Sequence, residues 1–87
     1  MAKAKTLFVE GVQFYERGEY GAAIASFRDA WEISCKAQIM FNIARAHEAL
    51  GEVREAIDAY QRYLDAGEGV HDVETVKRKI EELKTRL

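Results

Sequence analysis

The sequence predicts an all-α protein, a short α-solenoid of five helices stacked as antiparallel pairs. Three observations predict it. The segment from Gly18 to Ala30, GEYGAAIASFRDA, returns from Gly51 to Tyr63 as GEVREAIDAYQRY, a step of 33 residues. Ala23 to Ala56 and Phe27 to Tyr60 keep the same step. A turn glycine, a small residue and an aromatic recurring together at such a period mark a repeat of helical hairpins. The chain has no proline, so glycine must punctuate it, and Gly18, Gly51 and Gly67 each follow an amphipathic stretch. Between those glycines the apolar residues recur at helical spacing.

The length of 87 residues fits one domain, 1–87, with 48% apolar residues for a core and 32% charged residues for its surface. A net charge of −2 argues against nucleic acid as partner, because that affinity rests on clustered cations. No apolar run is long enough to span a bilayer. Glu10 interrupts the stretch TLFVEGV, which is too short and polar for a signal peptide. A single cysteine, Cys35, cannot close an internal disulfide and suits a reducing cytoplasm.

Helix 1 is expected over about 4–17. Leu7, Gly11 and Phe14 share one face, and Phe8, Val12 and Tyr15 form a second stripe beside it, so the apolar arc is wide. Helix 2 is expected over about 20–34. Ala23, Ile24, Phe27, Ala30 and Trp31 point inward, while Glu19, Arg28, Asp29 and Glu32 suit water. The short link Ser34–Lys36 forces helix 3 back along helix 2. Helix 3, about 37–50, packs through Met40, Ile43, Ala44, His47 and Leu50. Its second stripe reads Phe41, Arg45, Glu48. Helix 4, about 53–66, turns Ala56, Ile57, Tyr60, Tyr63 and Leu64 inward. AGEGV, from Ala66 to Val70, is the glycine-rich loop. Asp72 is a candidate N-cap for helix 5, which carries Val73, Val76, Ile80, Leu83 and Leu87 in one stripe.

These residues resemble the tetratricopeptide repeat (TPR) pattern: a large residue, then Leu-Gly and an aromatic on the first helix, then alanine and an aromatic on the second. The first unit, about 4–36, offers Leu7, Gly11, Phe14, Ala23 and Phe27. The second, about 37–69, offers Met40, Ile43, Ala44, His47, Ala56 and Tyr60. The resemblance implies a right-handed solenoid. Gly11 with Ala23, and Ala44 with Ala56, would lie where paired helices cross and approach to roughly 8–10 Å. The chain departs from the pattern in its step of 33, where the family usually has about 34. The proline that often ends a unit is also absent, and Cys35 stands near its place. Stepping on from Ala44 lands on Lys77, so helix 5, about 72–87, reads as a capping helix rather than half of a third pair.

The resemblance implies a non-catalytic protein-interaction module whose first helices line a groove for a peptide or helical segment. That groove would be lined by Lys5, Phe8, Val12, Tyr15, Phe41, Asn42, Arg45 and Glu48. Aromatic residues and Arg are frequent interface anchors, and an apolar patch beyond core needs marks a contact surface. The competing reading buries Phe8, Val12 and Tyr15 against helices 3 and 5. The family's carboxylate-gripping sites would fall on Phe8, Val12, Asn42, His71 and Thr75, of which only Asn42 keeps the type. A partner with apolar anchors is therefore expected. The alternative function is structural self-assembly, motivated by the heptad-like spacing of Val73–Leu87.

No residue pattern argues for an enzyme or a cofactor. Cys35 and His47 are types found in nucleophile–base pairs, but His47 falls on the packing face and Cys35 at a helix junction, where a small apolar filler is expected. His71-Asp72 lacks further donors for zinc. GEGV lacks the Lys-Ser/Thr of a phosphate loop. The run from Val76 to Lys79 is expected to be a solvated face with i,i+4 pairing to its acidic neighbours.

Overall fold

In the computed structural model of the protein, which describes residues 3–67 and 69–87, the chain forms five helices. They are α1 (Lys3–Glu16), α2 (Tyr20–Ile33), α3 (Ala37–Ala49), α4 (Val53–Asp65) and α5 (Val73–Lys84). Met1, Ala2 and Glu68, the last in the predicted glycine-rich loop, lie outside the described residues. The expected spans hold to within a residue at most ends. Helices α1 to α4 each stop one residue short of the prediction, and α5 ends at Lys84 in a turn that leaves Leu87 66% exposed.

The repeat is written in the backbone as well as in the sequence. Gly18 and Gly51 take φ of 80° and 78°, a left-handed conformation that costs glycine little. After each, the chain closes the same bonds. Glu19 N–H donates to Phe14 O at 2.9 Å, and Glu52 N–H donates to His47 O at 2.9 Å. Gly18 N–H reaches Tyr15 O at 3.0 Å, and Gly51 N–H reaches Glu48 O at 3.0 Å. This pair of bonds is the Schellman end of a helix, which satisfies carbonyls that the last turn would leave unpaired. The next helix then starts identically, with Ala23 N–H on Glu19 O and Ala56 N–H on Glu52 O, both at 3.0 Å.

Among the described residues, extensive packing joins only consecutive helices: α1 with α2, α2 with α3, α3 with α4, and α4 with α5. An open array in which each element meets its neighbours in sequence is solenoid-like, and a closed bundle would join α1 to α4 or α5. The core runs through these contacts. Phe27, Ala23, Ala30, Ala44 and Ala56 have no exposed surface. Gly11 is also buried, and a Cβ built on it would stand 2.5 Å from the Phe27 ring. The glycine therefore admits the Phe27 ring to the α1–α2 crossing. Gly21, by contrast, is exposed with open space around its Cβ direction. Gly21→Ala should stabilise the domain by about 0.5 kcal/mol through helix propensity alone, read as a higher urea midpoint.

Helix α5 closes the array. Val76, Ile80 and Leu83 are buried, and Lys77, where a further pair would need a small residue, is exposed. Four expectations are corrected. Leu50 (45% exposed), Val73 (38%) and Leu87 face solvent, because each lies at or beyond a helix end where no neighbouring helix covers it. Asp72 occupies the N-cap position of α5, but its φ of 52° is left-handed and its side chain makes no capping bond. Cys35 is exposed rather than a filler, since the three-residue link holds it off the core, with Sγ 3.4 Å from Trp31 O. The exposed charges of α5 pair at i,i+3, Lys77 with Glu74 and Lys84 with Glu81, rather than at i,i+4.

Candidate functional site

The predicted groove residues divide by depth. Lys5 and Arg45 are exposed, while Phe8, Val12, Tyr15, Phe41, Asn42 and Glu48 are half-buried. Phe8 and Tyr15 are half-buried and each meets an aromatic ring of α2, where the competing reading buries them against α3 and α5. The Phe8 ring lies 5.6 Å from that of Phe27, and Tyr15 meets Tyr20 edge-on at 5.1 Å. Each therefore braces the helix pair with one side and leaves the other open. Phe41 does the same within the second pair, with its ring 5.9 Å from Tyr60 and 5.1 Å from Tyr63 of α4. Asn42 turns its amide back, donating to Gln38 O at 2.8 Å.

Two clefts take up most of these residues. One, of about 690 Å³, is walled by Lys5, Phe8, Ile33 and Ile39 at the start of α1 and α3. The other, of about 370 Å³, collects Tyr15 from α1, Phe41, Arg45 and Glu48 from α3, Tyr60 from α4 and Lys79 from α5. A third cleft of about 850 Å³, bordered by Gln38, Phe41, Tyr63, His71 and Thr75, lies between them along α3. It shares Lys36 and Gln38 with the first and Phe41 with the second. The three make one continuous surface along α3. Val12 lines none of them.

The polar centre of this surface was not legible as a unit in the sequence. Glu48 accepts from the Tyr60 hydroxyl at 2.8 Å and from Lys79 Nζ at 3.1 Å. The sequence places Lys79 on a solvated face. Its spacing carried a signal, because it stands three residues after Val76 and four before Leu83, on the edge of the buried stripe. Burial, and then the hydrogen bond to Glu48, push the Tyr60 phenol well above its ordinary value of 10.0. The sign follows directly. A raised acid pKa means the protonated phenol is favoured in the folded state, so this stability is present below pH 10 and is lost as the pH rises further. Alkaline titration followed at 295 nm should therefore show Tyr60 ionising only with unfolding, and Tyr60→Phe should remove that late step.

The Arg45 guanidinium lies over the Tyr15 ring, 4.9 Å from its centroid, a cation–π contact worth about 0.5–1 kcal/mol at an exposed site. It links the two repeats across the groove side.

The residues with chemical potential are not assembled for a reaction. His47 is buried and its Nδ1–H donates to Glu52 Oε1 at 2.7 Å, the satisfied core histidine that the packing face implied. Cys35 precedes α3 and His47 lies in its last turn, on the order of 15 Å apart by helix rise, so they form no pair. Among the described residues no group of three metal-binding side chains is present, and no helix is long and apolar enough to cross a membrane. No protein-family model matches this chain, and no curated protein matches it.

Proposed function

We propose that the chain is a TPR-like, non-catalytic interaction module that takes a peptide or helical segment of a partner protein along α1, α3 and α5. The observation that carries this reading is the half-exposed row of Phe8, Tyr15 and Phe41 along a continuous cleft beside exposed Arg45. Such residues give large contact area at low entropic cost and dominate interface energetics. The 33-residue repeat of glycine end, alanine crossing and aromatic supports the TPR assignment. An exposed single cysteine suits a reducing, cytoplasmic setting. Self-assembly through α5 is the weaker reading, because Val76, Ile80 and Leu83 of its stripe are already buried within the chain.

The test is a random twelve-residue peptide library panned on the immobilised domain, followed by calorimetric titration of the selected peptides. The proposal expects binders with apolar anchors, weakened at least tenfold by Lys5→Ser with Tyr15→Ser, both lining the clefts, while the helical circular dichroism persists. Phe8 is the poorer choice, since it supports Phe27. An absence of binders, or binders indifferent to those changes, would overturn the proposal.

A further inference from the structure

The cleft at the Tyr15–Lys79 end reverses the charge of the molecule. The chain carries −2 overall, yet this cleft gathers Arg45, Lys79 and Arg86 around one carboxylate, Glu48. Lys79 is spent on Glu48 at 3.1 Å, with the Tyr60 hydroxyl on the other oxygen. Arg45 and Arg86 have no carboxylate partner among the described residues. Arg45 is held in place by stacking on Tyr15. Arg86 lies in the turn that follows α5, where its backbone N–H donates to Leu83 O at 2.9 Å, and it borders the same cleft. Arg45 and Arg86 therefore border a shared concavity with Tyr15, Phe41 and Tyr60.

We infer that this cleft is an acidic-residue subsite: it takes an Asp or Glu side chain of the bound peptide, beside an apolar anchor resting on Tyr15 and Phe41. The inference rests on the groove reading above and adds the partner's charge to it. Guanidinium groups match a carboxylate in geometry and bond it with charge assistance. With Glu48 offset by Lys79, the cleft keeps the two positive charges of Arg45 and Arg86, which a peptide carboxylate partly neutralises. Two unpaired cations on an acidic chain are too few for the multi-phosphate contact of nucleic acid.

The library-selected peptides serve as probes. They should be enriched in Asp or Glu over the unselected library, and their affinity should fall as salt rises. Replacing the peptide's acidic residue by its amide should weaken binding about tenfold to the unmodified protein, and less than about twofold to Arg45→Gln/Arg86→Gln. Both arginines are exposed, and Arg86→Gln alone, beyond α5, supplies a second variant should the double change disturb the fold. Groove binders without acidic enrichment, or an amide replacement that costs the same on both proteins, would overturn the acidic subsite while leaving the groove intact. A library that yields no binders would overturn both.

Discussion

Phe27→Ala is expected to leave the domain largely unfolded at physiological temperature. Phe27 is fully buried, fills the space that Gly11 leaves open and packs against the Phe8 ring one turn away on α1. Its truncation removes the apolar area and leaves a cavity lined by two helices, at a cost of about 3–5 kcal/mol. Small domains hold roughly 0.05–0.15 kcal/mol per residue in total, so the loss is comparable with the whole stability of this chain. Because the packing is sequential, α1 has no other extensive partner to hold it once the α1–α2 contact fails. Urea denaturation followed by circular dichroism at 222 nm checks this. A shift in midpoint equivalent to less than about 1 kcal/mol would mean that Phe27 is not the centre of that contact.

Ala56→Leu is expected to destabilise the second pair by about 1–3 kcal/mol or more. Ala56 has no exposed surface and lies in the packed α3–α4 pair, so added side-chain atoms must push the axes apart or force strained rotamers. Gly11→Ala applies the same argument to the first pair, with a sharper sign. Helix propensity alone would favour alanine by about 1 kcal/mol. The new methyl would stand 2.5 Å from a fully buried ring, so the net effect should be a loss, whereas Gly21→Ala should be a gain. Thermal and urea midpoints of the three variants measured together would separate crossing geometry from propensity. A stabilised Gly11→Ala variant would contradict the close approach.

Local and periodic signals made most of the fold legible. Gly18 and Gly51 end their helices as their positions imply, and Ala23, Phe27, Ala44 and Ala56 are buried as the repeat register requires. What the sequence misplaced lies at helix ends. Leu50, Val73 and Leu87 fit the stripe by spacing, but periodicity cannot say where a neighbouring helix stops covering it. Cys35 and Asp72 depend on loop conformation, which a three- or seven-residue link decides through its own turns. The site was legible in part. The aromatic stripe of α1 and the Phe41–Arg45–Glu48 row could be read from helical spacing. The joining of Glu48 to Tyr60 and Lys79 could not, because it depends on the position of α5, 31 residues further on for Lys79.

The most direct test of the account is to follow the backbone amide resonances of the isotope-labelled domain as a library-selected peptide is added. The account predicts shifts concentrated on α1, α3 and α5, from Phe8 and Tyr15 through Phe41 and Arg45 to Lys79 and Arg86. Shifts concentrated instead around Trp31, Asp58 and Arg62, which border a separate cleft on another face of α3, would contradict it.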